Sequence, residues 1–285
     1  LLDVRHEQTA VFAAEATGKL TRTPGLAVLT AGPGVTNGIS AITQAHFSGS
    51  PLVVLGGRAA NYSWGKGALQ ELDHPSLLGP VTKRAATIGS VDEVADEVDD
   101  AFRLAAAPHR GPVLLDIPMD ELYGDAEGAP VTAGEALPSP PDAGDVDAIA
   151  RLLATAERPL VVLGTDVWSD HAETAALRFV TDLGLPTITN GLGRGLVPGG
   201  HELLVARARR TAVGECVLAL VVGTPLDFRL GYGSFGGHGG APDARVVHVA
   251  DSPGQISTHA DPAASAAGDL TAFFDLVQTV VEQHG

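Results

Sequence analysis

The sequence predicts an α/β protein of two doubly wound parallel-sheet domains. Three observations predict it. Short β-branched runs alternate with helical segments along the whole chain, the pattern of parallel sheets covered by helices. The strand-like runs are apolar throughout rather than alternating, as in strands buried between two helix layers. A stretch without periodicity, rich in Pro, Gly and Ala, divides the chain near its middle.

The elements follow in order. Leu1–Val4 reads as the end of a strand that gives way to a helix at Glu7. "GLAVLT" (25–30), "PLVVLGG" (51–57) and "PVLLDIP" (112–118) read as strands buried on both faces. Between them lie "VTNGISAITQAHFSG" and "SVDEVADEVDDAFRLAAA". The second places Val91, Val94, Val98, Phe102 and Ala105 at helical spacing, with carboxylates on the other face. After Leu122, "YGDAEGAPVTAGEALPSPPDAGD" reads as a linker. Regular structure resumes with "VDAIARLLATA", "PLVVLG" (159–164), a helix near 171–183 and "LPTIT" (185–189). "CVLALVVG" (216–223), "ARVVHVA" (244–250) and the helix "DLTAFFDLVQTVVEQ" complete a second α/β unit.

Composition narrows the function classes. The chain has 285 residues, enough for about two domains, and its 45% hydrophobic content supports filled cores. Net charge is −16 and no stretch concentrates Lys and Arg, which argues against nucleic acid and anionic membrane as partners. Apolar runs such as "VLALVVG" are far too short to span a bilayer, and "LLDVRHEQ" lacks signal-peptide order. Cys216 is the sole cysteine, so an intrachain disulfide is excluded and a cytoplasmic location fits. Met119 is the sole methionine, so the sequence reads as part of a longer product.

Three stretches can carry chemistry. Glu7 stands where a strand hands over to a helix, a place where α/β sheets present ligands, though a first-turn glutamate also suits the helix dipole. His6 and Gln8 beside it read as structural neighbours, because no partner stands at a zinc-like spacing. "LTAGPGVTNGIS" (29–40) ends a strand in a Gly-Pro-Gly turn with Thr36 and Asn37 at a helix start. Pro33 removes an amide that a phosphate would use, so the turn offers a rigid ridge for a flat ring rather than a nucleotide cradle. "WGKGALQELDHPSLLGPVTKRA" carries Gln70, Glu71, Asp73, His74 and Lys83 in an irregular polar loop of a length that is often functional.

In this order and spacing the three stretches resemble the pyrimidine-binding domain of thiamine-diphosphate enzymes, in the acetolactate synthase branch. "RHEQTAVFAAEATGKLTRTPGLAVLTAGPGVTNGISAITQAHFSGSPLVVLGGRA", "LQELDHPSLLGPVTKRA" and "PVLLDIPMDEL" carry that resemblance. "ERPLVVLGTDV", "LPTITNGLGRGLVP" and "ALVVGTPLDFRLGYG" resemble the central domain of the same enzymes. The resemblance implies a pyrimidine-binding domain over 1–122 that lacks its first elements, a linker over 123–143 and a Rossmann-like central domain over 144–285. The family's third domain binds Mg²⁺ and diphosphate through Gly-Asp-Gly and a later Asn. Gly124, Gly144 and Gly268 each precede Asp here, but none begins Gly-Asp-Gly, so the sequence alone is expected to be inactive.

The resemblance assigns Glu7 to the catalytic role. In the family this glutamate bonds N1′ of the aminopyrimidine and promotes the imino form that takes the C2 proton, and an apolar pocket would hold it protonated. Gln cannot exchange that proton and Asp is a methylene short. By the same resemblance Pro33 and Asn37 line the wall holding the pyrimidine, Gln70 lies on the substrate side, and no protein metal ligand is assigned in this part of the chain. The implied reaction is decarboxylation of a 2-keto acid with carboligation, two pyruvates giving 2-acetolactate, in a homodimer or homotetramer. "TPLDFRLGYG" also resembles the branch acting on 2-hydroxyacyl- and oxalyl-CoA thioesters. A module that binds a nucleotide or CoA and catalyses nothing is the alternative from another class. Synthases carrying FAD often show a triple-glycine turn where this chain has Gly164-Thr165-Asp166, which counts against FAD.

Overall fold

The computed structural model describes residues 1–127, 138–238 and 242–284. The chain divides into two compact units, Leu1–Leu137 and Pro138–Gly285. Part of the expected linker, 128–137, lies outside the described residues.

The first unit runs α1 (Glu7–Thr21), β1 (Gly25–Leu29), α2 (Pro33–Phe47), β2 (Leu52–Arg58), α3 (His74–Leu78), β3 (Arg84–Thr87), α4 (Val94–Ala106), β4 (Pro112–Pro118) and α5 (Met119–Leu122). Its strands pair in parallel in the order β1-β2-β4-β3. On one face, Val11 and Ala14 of α1 and Val35, Ala41 and Ile42 of α2 pack on Ala27, Leu29, Leu52, Val54 and Leu114. Burying a side chain such as Ile42 stabilises the unit by about 1.5–3 kcal/mol. On the other face, Ala101 and Ala105 of α4 pack on Val53, Val113 and Leu115. The helical spacing seen in the sequence holds from Val94 onward, whereas Val91–Glu93 form a 3₁₀ turn.

Two expectations fail here. Leu1–Val4 form no strand; Leu1 and Leu2 are fully exposed, and these residues have no ladder partner among the described residues. A strand needs a neighbour to satisfy its N–H and C=O groups, and without one water does so. Nor is β1 buried on both faces. Leu26 and Val28 are 49% and 59% exposed, because β1 is an edge strand and the α4 layer does not cover its outer part.

The second unit runs α6 (Ala143–Ala154), β5 (Pro159–Leu163), α7 (Thr165–Ser169), α8 (Glu173–Asp182), β6 (Thr187–Thr189), α9 (Arg209–Glu215), β7 (Leu218–Val222), β8 (Arg245–Ala250), β9 (Ala264–Ala267) and α10 (Leu270–His284). Its strands are also parallel, in the order β6-β5-β7-β8-β9. Ile149, Phe179, Phe273 and Phe274 from α6, α8 and α10 fill one face. Leu226, Leu230 and Phe235, in the segment after β7, help to fill the other. Both units are therefore α/β layers with all-parallel sheets. No helix among the described residues is long and apolar enough to cross a membrane.

Candidate active site

A helix that leads into a parallel strand runs antiparallel to it, so α1 starts at the C-terminal edge of the first sheet. Glu7 is the first residue of α1. His6 caps the helix: its Nδ1 accepts the Gln8 N–H at 3.1 Å. Close packing fixes the helix on the sheet, since a Cβ on Gly18 would meet the Pro51 carbonyl oxygen at 2.3 Å.

The Gly-Pro-Gly turn approaches Glu7 from β1. Gly32 takes φ +59° and ψ −112°, and Pro33 opens α2 as its first residue. The helix therefore starts before Thr36, because proline's fixed φ and absent N–H suit the first helical position. Asn37 Nδ2 donates to Glu7 Oε2 at 3.0 Å. A Cβ at Gly34 would lie 3.8 Å from Glu7 Oε1 and 2.5 Å from Thr30 Cγ2, so the surface beside the carboxylate is bare backbone. Pro33 and Asn37 are exposed and Glu7 is half-buried.

The expected apolar pocket does not enclose Glu7 among the described residues. The Asn37 amide, then the residue's own backbone N–H, holds its carboxyl below the usual glutamate range, against a smaller desolvation effect.

Gln70 packs against the turn from the other side. A Cβ on Gly32 would fall within 3.1 Å of the Cβ, O and Cα of Gln70. Gln70 itself is left-handed, at φ +59°, a conformation that costs a non-glycine residue about 1–3 kcal/mol. The structure therefore joins Glu7 to Asn37 directly and sets Gln70 against the glycine preceding Pro33.

The other polar members of this loop have local roles. Asp73 caps α3, accepting the Ser76 hydroxyl at Oδ2 and the Ser76 N–H at Oδ1, the latter at 3.2 Å, and these bonds, the hydroxyl first, hold its carboxyl low. Lys83 Nζ donates to the Ala107 carbonyl at 2.7 Å. His74 is different, being fully buried with Asp116 of β4. Asp116 was visible in the sequence as the one charge within "PVLLDIP", but composition alone gives it no partner.

In the second unit the turn after β5 is closed by packing. A Cβ on Gly164 would meet the Gly223 carbonyl oxygen at 2.1 Å, and one on Gly193 would meet the Leu163 oxygen at 2.3 Å. The Gly164 and Asp166 N–H groups donate to Val222 and Gly223 carbonyls at 2.8 and 3.0 Å. These two amides, which could otherwise meet a dinucleotide phosphate, are thus already paired, and the acidic Asp166 stands buried at the same turn.

Comparison with known proteins places this geometry. Residues 1–77 match the thiamine pyrophosphate enzyme N-terminal TPP binding domain, and residues 146–277 match the central domain of the same enzymes. The chain belongs to the thiamine pyrophosphate enzyme family. Among curated relatives it is 47% identical over 276 residues to the acetolactate synthase large subunit IlvG of Mycobacterium tuberculosis, covering 95% of this chain and 50% of that protein. A probable acetolactate synthase of Mycobacterium bovis matches to the same extent. A 2-hydroxyacyl-CoA lyase 2 of Danio rerio is 34% identical over 270 residues, covering 82% of this chain and 44% of that protein. The chain spans about half the length of the curated relatives it matches.

Proposed function

We propose that this chain forms the pyrimidine-binding and central domains of an acetolactate synthase that condenses two pyruvates, with residues 1–122 and 144–285 as the two domains and 123–143 between them. The observation that carries this reading is the Glu7 carboxylate, held by Asn37 at 3.0 Å beside the bare backbone of Gly34. That arrangement fits an aminopyrimidine: a partly exposed carboxyl group able to bond a ring nitrogen, with a glycine beside it.

When bound, thiamine diphosphate supplies the electron sink for decarboxylating a 2-keto acid. Glu7 holds and returns the proton at the ring nitrogen. Asn37 holds the Glu7 carboxyl group through Oε2, and Pro33 would supply a rigid wall. Gln70 lies toward the substrate. A ring that covered Glu7 would exclude its water and raise its proton affinity. Mg²⁺ and the diphosphate would be held outside these residues. The closed turn at Gly164 speaks against FAD in the central domain. The active assembly is a cytoplasmic homodimer or homotetramer.

The test is Glu7→Gln in the intact enzyme. Gln keeps the shape and one hydrogen bond but passes no proton, so pyruvate turnover is expected to fall by about 10²–10⁴. Exchange of the cofactor C2 proton, followed by NMR, isolates the step, and equal exchange in both proteins overturns the assignment. The lyase relatives favour one second reading, cleavage of a 2-hydroxyacyl-CoA thioester. Turnover of such a thioester in preference to pyruvate would select it.

A further inference from the structure

The Gly32 turn is held by a pair of residues distant in sequence. His74 and Asp116 are both fully buried, and His74 Nδ1 lies 2.9 and 3.0 Å from the two Asp116 oxygens. On the other side of the ring, the Gly32 N–H donates to His74 Nε2 at 3.0 Å. A nitrogen that accepts an N–H carries no hydrogen, so the ring is neutral with its proton on Nδ1, directed to Asp116. Burial pushes the Asp116 carboxyl up, opposed by its bond to His74. Room for that carboxylate is made by Gly56, where a Cβ would stand 2.7 Å from Asp116 Oδ1.

This is more than a satisfied core pair requires. A carboxylate within the fully buried strand β4 is costly, and an apolar pair of the same volume would pack there as well. What an apolar pair could not do is accept the Gly32 N–H. That amide belongs to the residue before Pro33, at φ +59°, and from it α2 departs carrying Gly34 and Asn37 to Glu7. Gln70, four residues before His74, backs onto the same glycine. The segment 70–74 therefore grips the turn twice, once through packing and once through a hydrogen bond.

We propose that His74 and Asp116 are positioning residues: Asp116 fixes the neutral, Nδ1-protonated form of His74, whose Nε2 anchors the Gly32 turn and so sets Asn37 and Gly34 against Glu7. The relevance to cofactor binding rests on the function proposed above; the tautomer and the anchored amide do not.

Two substitutions separate the two ends of the ring. His74→Gln retains an acceptor at the Nε2 position, and His74→Asn retains a donor at the Nδ1 position. In the 285-residue chain, NMR of the imidazole nitrogens should show the proton on Nδ1 and none on Nε2. Exchange of the Gly32 amide should be about tenfold faster in His74→Asn than in wild type and close to wild type in His74→Gln. In the intact enzyme, thiamine diphosphate affinity should fall about tenfold in His74→Asn and recover in His74→Gln. A proton on Nε2, which is readable in wild type even where a variant fails to fold, overturns the relay. Equal Gly32 exchange in wild type and His74→Asn overturns the anchor. Altered Gly32 exchange with unchanged cofactor affinity overturns the positioning role, while loss of all cofactor binding by wild type would overturn the function proposed above and leave the relay standing.

Discussion

Strands β1 and β5 carry nearly the same sequence, Gly-Leu-Ala-Val-Leu and Pro-Leu-Val-Val-Leu, and end in different surroundings. In β5 every residue after Pro159 is buried, because β6 and β7 flank it and helices or irregular segments cover both faces. In β1 the burial alternates, with Leu26 and Val28 half-exposed. Composition sets the capacity of a strand to be buried; its place in the sheet order decides how much of that capacity is used. A continuous apolar run is therefore a statement about the chain, and burial is a statement about its neighbours.

The largest effect should come from the fully packed strand. Leu163→Ala in β5 is expected to cost about 2–5 kcal/mol, through lost transfer energy and an uncollapsed cavity. Urea denaturation monitored at Trp168, which packs on that core, would read it, and a cost under 1 kcal/mol would show that the second unit collapses around the gap.

A smaller effect separates the units by pH. His248 of β8 is buried; its Nε2–H donates to the Thr224 carbonyl at 3.2 Å and its Nδ1 accepts the Ser257 N–H at 3.1 Å. Desolvation is the main cause that holds this histidine below its usual value of 6.5. The unfolded chain then binds the proton more readily, so the stabilisation is complete above pH 6.5 and is lost as pH falls through the folded value. Glu7 acts in a lower window, because its folded value lies below 4.5: its contribution is present above that pH and disappears on further acidification. The second unit should thus begin to lose stability at a higher pH than Glu7 can account for in the first. Unfolding curves between pH 7.5 and pH 5 check this, and a slope that survives His248→Gln unchanged would assign it to other groups.

The smallest effect is expected at Val28→Thr, within about 0.5 kcal/mol, because the side chain is 59% exposed. A cost approaching that of Leu163→Ala would mean that the outer face of β1 is covered in solution.

Most of the fold could be read from the sequence, and the exceptions have a common physical origin. The six longer strands announced themselves as β-branched runs. The edge strands β3 (Arg-Ala-Ala-Thr) and β9 (Ala-Ser-Ala-Ala) did not, because alanine has little preference for strands and pairing to β4 and β8 is what makes them extended. Leu1–Val4 shows the converse, a strand-like sequence without a neighbour. At the candidate site, Glu7, Pro33, Asn37 and Gln70 stood out by motif, but the 30-residue separation between Glu7 and Asn37 hides their hydrogen bond from any local reading. The left-handed backbone of Gln70 is equally hidden, since glutamine is not a residue type that signals positive φ. The His74–Asp116 pair is the deepest omission: a histidine in a polar loop and an aspartate in a strand meet only once the sheet has formed.

The nesting of Gln70 on Gly32 has a consequence for recombination among relatives. With the Gln70 backbone standing where a Gly32 side chain would be, neither segment can be exchanged on its own terms. A chimera joined within β2 would inherit the turn from one parent and the loop from the other, and any parent bearing a side chain at position 32 would bring a collision with it. The 30–33 turn and the 68–74 loop are thus one heritable cassette split by 34 intervening residues, and a transplanted site must carry both pieces.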